Sequence, residues 1–328
     1  MDPKPAQESA VSDKPLIIQS EHLSEEAARW LARRCRLEAV AFDATQFTGS
    51  LAEADGLLVR TYTRVDEGLL DHAPALRVVG RAGAGLDNID VAACRACGIE
   101  VVYTPQANTQ AVVEYVLSLM ADALRPRPAI DRPIDAQRWE EIRAQNIGRR
   151  QMSQCTLGIL GLGRIGKRVA QVAGAIGLRV LYNDLLSMPP EARFGAEPVA
   201  VDTLFEQSDI LSIHIDGRAE NRDFIGPRLI RRMKSDVLFL NTSRGFVVDN
   251  MALAEFLRAH PDAEAHLDVH EPEPFDDSYP LLGLPNAKLY PHLAARTQTA
   301  MLNMSWVVKD VWAVLEGRKP QWPAPEEP

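Results

Sequence analysis

"TLGILGLGRIGKRVAQVAGAIGLRVLYND", residues 156–184, holds three glycines in the pattern Gly161-x-Gly163-x-x-Gly166 between two apolar runs. The first run, Leu157–Leu160, has the length of a buried strand. The glycines then open a helix-like segment, and a second strand-like run, "RVLYN", ends at Asp184. Each glycine answers a steric demand. The first permits a tight turn, the second lets the backbone approach a pyrophosphate, and the third lets helix and strand pack closely. The helix start supplies N–H groups and a partial positive charge to an anion. Asp184 lies eighteen residues beyond Gly166, where a carboxylate accepts hydrogen bonds from ribose hydroxyls and repels a 2′-phosphate. Strand, glycines, helix, strand and acid in this order predict a dinucleotide site, with NAD preferred over NADP.

Outward from this unit the chain keeps alternating. Toward the N-terminus come the strand-like runs "PLIIQS", "LEAVAF", "GLLVRT", "LRVVGRAG" and "IEVVYTP". "SEEAARWLARRC" reads as a helix with Ser24 as its N-cap. "NTQAVVEYVLSLMADAL" reads as a long apolar helix capped by Asn108 or Thr109. The proline-rich "RPRPAIDRP" after it reads as a surface connection. A last helical segment, "TAMLNMSWVVKDVWAVLEG", stops at Gly317. Strands alternating with helices predict parallel sheets covered by helices. Two such units are expected, with residues 1–14 as a flexible tail.

The bulk properties exclude several classes. The 328 residues suffice for two domains, and 46% hydrophobic with 25% charged residues is ordinary for a globular chain. A net charge of −9 argues against nucleic acid as a partner. No apolar run approaches a membrane span, and the first residues lack a signal pattern, so a cytoplasmic location is expected. Of the four cysteines, Cys94 and Cys97 form one C-x-x-C on a short helix ending at Gly98. A single such pair is read as two small helix residues, and no metal is expected.

The remaining chemistry clusters where strands end. "VLFLNTSRGFVVD" sets Arg244 just past a strand, where open α/β sheets bind ligands and a guanidinium can fork a carboxylate. "LDVHEPEP", residues 267–274, follows another strand, and "KLYPHLAART" puts His292 after a third. Arginine, glutamate and histidine at successive strand ends suit oxidation of a hydroxy acid. The arginine anchors the carboxylate and the histidine moves the proton. A glutamate beside the histidine keeps the imidazolium populated. His266, Asp268 and His270 share a strand face and could hold zinc, but the hydroxy-acid reading uses the same residues without metal.

These motifs resemble the D-isomer-specific 2-hydroxyacid dehydrogenases over nearly the whole chain after the tail. The resemblance rests on "GLGRIG", "NTSRGFVVD", "LDVHEPEP", "PHLAART", and "RAGAGLDNID" followed by "TPQAN". It implies an α/β fold of two doubly wound parallel-sheet domains. A Rossmann-type NAD domain, 108–292, would be inserted in a flavodoxin-like substrate domain made of 15–107 and 293–328. It implies Arg244 as the substrate-binding arginine, His292 as the acid/base, and Glu273, not Glu271, as its partner. His270 becomes a decoy and Glu271 a solvated neighbour. For the cofactor it implies Gly161, Gly163, Arg164, Ile165, Gly166, Asp184, His214 and Thr242, with Asp268 on the nicotinamide carboxamide. For the substrate it implies Arg60, Arg81, Ala82, Gly83, Gly85 and Asn108. It also implies a homodimer through the cofactor domain. One departure stands out: the family usually continues after His214 with Pro-Leu-Thr, where this chain has Asp216-Gly217-Arg218.

The arginine pattern of "GLLVRTYTRVDEGLLDHAPALRVVGRAGAGLDNID" resembles the phosphoglycerate dehydrogenase branch most. The expected substrate is therefore 3-phosphoglycerate, with hydroxypyruvate or glyoxylate reduction close behind. The chain ends at Pro328 without an added regulatory domain, so serine feedback is not expected. An NAD-sensing binding protein without catalysis is the reading from another class.

Overall fold

The computed structural model describes residues 14–148 and 150–326, so all of the expected tail except Lys14 lies outside the described residues. The chain forms two compact units. One runs up to Asn108 and resumes at Thr297, and the other is Thr109–Arg296. The second boundary falls four residues later than His292, because Leu293 and Ala294 donate their N–H groups to Asp268 and stay with the second unit.

The first unit has five parallel strands: β1 (Leu16–Gln19), β2 (Arg36–Ala39), β3 (Gly56–Val59), β4 (Val78–Arg81) and β5 (Glu100–Tyr103). Their order, β2-β1-β3-β4-β5, is that of flavodoxin-like sheets. β3 and β4 are buried throughout, as parallel strands covered on both faces must be. Ser24 caps the helix Glu25–Ala32 by accepting from the Ala27 N–H. The C-terminal segment is two helices, Gln298–Ser305 and Val308–Leu315, not the single one expected. They belong to the first unit, where Val307, Val308 and Val311 are buried and the Leu315 carbonyl accepts from Arg77.

The second unit has seven parallel strands: β6 (Thr156–Leu160), β7 (Arg179–Asn183), β8 (Glu197–Pro198), β9 (Ile210–Ile213), β10 (Leu238–Asn241), β11 (Glu264–Leu267) and β12 (Ala287–Leu289). The order β12-β11-β10-β9-β6-β7-β8 reverses direction at β6, which makes the sheet doubly wound. Alternate residues feed opposite cores. Leu157, Ile159, Leu238 and Leu240 face one, and Leu160, Leu211, Ile213 and Phe239 the other.

One lateral row organises this sheet. Leu289, Leu267, Asn241, Ile213, Leu160 and Asn183 are partners across six neighbouring strands. Every cofactor or catalytic residue expected in this unit follows that row on one edge of the sheet. The long helix Thr109–Leu124 buries Val112, Val113, Val116, Leu119 and Met120 in the core, so its apolar stripe is used within the unit. The segment after the prolines holds a helix that the sequence pattern did not announce, Ala136–Gln145. Asp135 caps it, and none of its residues is buried. Among the described residues, no helix is long and apolar enough to cross a membrane.

Candidate active site

The glycine turn after β6 is shaped as its pattern demands. Gly161 has φ +94°, and a side chain there would meet the His214 carbonyl carbon and oxygen at 2.8 Å. A Cβ on Gly166 would lie 2.2 Å from the Gly161 carbonyl oxygen, so that position must stay bare. Around Gly163 the space is open, with nothing within 4 Å of a Cβ. Gly163 also starts the helix Arg164–Ile176 without any side-chain cap. Uncapped N–H groups beside an open glycine form a cradle that a pyrophosphate fits.

Asp184 sits one residue past β7. Its Oδ2 accepts the Leu162 N–H at 2.6 Å and its Oδ1 the Leu186 N–H at 2.8 Å. The carboxylate thus braces the glycine turn from one side. On the other side, the His214 Nε2 meets Ser212 Oγ at 2.8 Å, and burial holds the imidazole down to about 4, so it is neutral at physiological pH. The Thr242 Oγ1 is buried without a protein partner, an orphan that a bound ligand would satisfy. The open cradle, the Asp184 carboxylate and the orphan hydroxyl all lie on one sheet edge and fit a nicotinamide dinucleotide.

Arg244, Glu273 and His292 follow the adjacent strands β10, β11 and β12. Asn241, the last residue of β10, holds the turn into Arg244. Its Oδ1 accepts from the Ser243 N–H and Oγ, and its Nδ2 donates to the Arg244 carbonyl. Sequence reasoning missed Asn241, although an amide ending a buried strand was its visible signal. The Arg244 Nη1 donates to the Ser243 carbonyl at 2.7 Å.

The His292 Nδ1 and Glu273 Oε2 are 2.8 Å apart. A carboxylate only accepts, so Nδ1 carries a proton and Nε2 is the nitrogen turned to exchange. The other oxygen, Oε1, accepts the His270 N–H at 2.7 Å. Burial raises the Glu273 carboxyl, but the His292 bond and charge and the His270 N–H outweigh it and hold it below the usual carboxylate range. His292 itself has a left-handed backbone, φ +55°, uncommon outside glycine although histidine tolerates it better than most residues. Its N–H donates to the carbonyls of Asp268 and Tyr290, both at 3.0 Å. The Asp268 oxygens accept from Leu293 and Ala294, each at 2.8 Å. Asp268 therefore clamps the backbone on both sides of the histidine. Its buried carboxyl is raised by desolvation, against the pull of those two N–H groups.

The neighbouring charges in "LDVHEPEP" have other lives. His270 is buried, with Nε2 donating to the Tyr290 carbonyl at 2.8 Å and Nδ1 3.2 Å from the Tyr279 hydroxyl. Glu271 has half of its side chain exposed and lies 3.9 Å from the Arg222 guanidinium. His266 meets Glu264 instead of Asp268 or His270. Among the described residues, no group of three or more His, Cys, Asp or Glu is arranged to hold a metal ion.

Of the residues expected in the first unit, Arg60 follows β3, and Arg81 ends β4 and leads into the loop of Ala82, Gly83 and Gly85. The Arg60 backbone N–H donates to Glu21, and its side chain reaches the His22 carbonyl and the Met301 sulfur. Arg81 ends β4, is 93% covered, and lies along the face of Gly83. In the loop after it, Ala82 donates to the Val59 carbonyl and Gly83 to the Arg81 carbonyl, so those two N–H groups are used within the protein. Gly85 follows two residues on. The Asn108 Oδ1 is buried without a partner.

Similarity to known proteins agrees with this geometry. Residues 117–294 match the family model described as D-isomer specific 2-hydroxyacid dehydrogenase, NAD binding domain. A D-3-phosphoglycerate dehydrogenase of Archaeoglobus fulgidus is 34% identical over 298 residues, covering 90% of this chain and 56% of that protein. A glyoxylate reductase of Aeropyrum pernix is 37% identical over 277 residues, covering 82% of each. The chain thus spans little more than half the length of the first of these relatives. Among solved structures, a glyoxylate reductase from Paecilomyes thermophila superposes with a TM-score of 0.82 at 28% identity, covering 96% of this chain and all of that one. The chain belongs to the D-isomer-specific 2-hydroxyacid dehydrogenase family, and its second unit carries that family's NAD-binding domain.

Proposed function

We propose that this protein transfers a hydride between a nicotinamide dinucleotide and the second carbon of a D-2-hydroxy acid or the matching 2-keto acid. The observation that carries the reading is the 2.8 Å contact of His292 with a glutamate already anchored by a backbone N–H. When bound, NAD takes up or supplies the hydride. The protein's own residues do the rest. The uncapped start of the helix Arg164–Ile176 receives the pyrophosphate, with Arg164 and Ile165 in its first turn. Asp184 receives the ribose, and the neutral His214 and the Thr242 hydroxyl line the same edge. Arg244 holds the substrate carboxylate and polarises the carbonyl. The His292 Nε2 takes the hydroxyl proton in oxidation and returns it in reduction, while Glu273 fixes its tautomer and stabilises the imidazolium. Asp268 keeps the histidine backbone in place and offers its remaining lone pairs to the carboxamide. Roles for Arg60, Arg81, Ala82, Gly83, Gly85 and Asn108 toward the substrate rest on the resemblance alone.

Within this class, 3-phosphoglycerate ranks first, since the buried Arg81 and the half-buried Arg60 suit an acidic substrate end, and one curated relative bears that activity in its name. Hydroxypyruvate or glyoxylate reduction is the second reading, supported by the name of the other. The test is NADH oxidation with a panel of 2-keto acids, and NAD reduction with 3-phosphoglycerate. Turnover of none, with nucleotide still bound, leaves a non-catalytic NAD sensor. We also infer a homodimer. The helix Ala136–Gln145 has no fully buried residue and leaves Trp139 50% exposed, with Ile147 beyond it at 78%. Sedimentation at monomer mass would refute this.

A further inference from the structure

The loop after β9 departs from the family at Asp216-Gly217-Arg218, and the structure shows what stands there. Leu160, Asn183 and Ile213 are partners in one row. The next residues therefore flank the glycine turn, with Asp184 on one side and the His214 loop on the other. Both touch the turn: Asp184 accepts the Leu162 N–H, and the His214–Ile215 backbone lies against Gly161. Arg218, five residues past β9, thus belongs to the loop that flanks the cradle on the side opposite Asp184.

Arg218 is not idle. Its Nε donates to Asp216 Oδ1 at 2.7 Å and its Nη2 to Oδ2 at 2.5 Å, a two-point grip. Asp216 Oδ1 also accepts from the buried Asn221 Nδ2 at 3.0 Å, and Asn221 holds the Asp216 carbonyl at the same distance. The carboxylate is therefore fixed to the loop, and the guanidinium is fixed to the carboxylate. The pair is neutral, so Arg218 offers no net cation to set against the negative Asp184.

We propose that Asp216 is a specificity-determining residue: by engaging Arg218 it withholds a cation that would otherwise bind the 2′-phosphate of NADP, and so leaves Asp184 to select NAD. This rests on the reading of the second unit as a dinucleotide site. Freed from Asp216, Arg218 offers a planar fork suited to a phosphate dianion, on the same edge as the acid that repels one. The chain thus carries an NADP-binding group in a masked form.

The test is direct titration of purified protein with NADH and with NADPH, reading nucleotide fluorescence, so that catalysis is not needed. Wild-type protein is expected to bind NADH more tightly. Asp216→Asn should tighten NADPH about tenfold while NADH changes less than about threefold, the scale of one charge-assisted contact to phosphate. Arg218→Ala should move NADPH the opposite way, and the double variant should lose the gain of Asp216→Asn. Melting curves confirm that each variant is folded. An unchanged ratio of the two Kd values in folded Asp216→Asn overturns the proposal, as does a gain that survives removal of Arg218. Wild-type protein that binds neither nucleotide overturns the functional reading as well, which separates the two failures.

Discussion

Two glutamates, one in each unit, are held by similar bonds and do different things. In the first unit, Glu21 faces the loop after β3. Its carboxylate accepts the backbone N–H groups of Arg60, Thr61, Tyr62 and Thr63, and the Thr63 hydroxyl. In the second, Glu273 divides its oxygens between one backbone N–H and the His292 imidazole. Burial raises both carboxyls, and hydrogen bonds outweigh it in both, so both sit below the usual range. A lowered pKa therefore does not mark a working group by itself. What separates the two is the partner. A backbone N–H cannot titrate, whereas an imidazole can give its proton away. Glu21 is an internal anion closing a nest of N–H groups, and Glu273, in the mechanism proposed above, is one end of a proton path.

The sharpest way to break this contrast is His292→Ala. Turnover should fall by roughly 10²–10⁴-fold, the usual weight of a general acid–base group, with NADH binding retained. Near-normal turnover would remove the proton path altogether. Next, Glu273→Gln should lower kcat on the order of tenfold to a hundredfold with a small change in Tm, since the amide keeps the shape but loses the charge. Glu21→Gln should do the reverse. It should leave kcat per folded molecule unchanged and cost on the order of 1–3 kcal/mol of stability, because several N–H groups lose a charged acceptor. If the two variants shift kcat alike, the contrast is mistaken.

Acid provides a finer comparison. A carboxyl whose folded pKa is depressed contributes stability above its unfolded pKa, and that contribution disappears as pH falls through the folded value. Denaturation midpoints of the wild type should thus decline below the ordinary glutamate range, and Glu21→Gln should flatten that decline. The smallest effect belongs to Glu271→Gln, a half-exposed neighbour that lies 3.9 Å from the Arg222 guanidinium. Its kcat and midpoint should stay within error of wild type, since such exposed pairs contribute about 0–1 kcal/mol.

The contact of Glu273 with His292 was expected from the family motif, and that of Glu21 with its loop was not expected at all, for a physical reason. The glycine fingerprint and the strand-end residues act through local spacing, which a sequence displays. The bonds of Glu21 run to residues 39–42 positions away, and only the pairing of β1 with β3 brings them together. Asn241 and Asp268 were half legible. Their places at strand ends were visible, but their service to Arg244 and His292 depends on which N–H groups the loops present. The helix Ala136–Gln145 escaped because prolines precede it and no apolar stripe runs along it, so neither cue for a helix was present. The break between the last two helices left no mark either, since Trp306 and Val307 continue the apolar run.

The split of the first unit also has a consequence in time. Arg77, just before β4, donates to the Leu315 carbonyl 238 positions later, and Val311 is buried in the same unit. The second unit is one unbroken stretch of chain and has all its strands before those last helices exist. At a synthesis rate of about 5–20 residues per second, β4 waits on the order of ten seconds or more for its covering helix. The inserted unit can thus be complete on the ribosome while the earlier one still exposes an apolar sheet face. On this order of events, the segment synthesised first is the last to close, and it is where a chaperone would have most to hold.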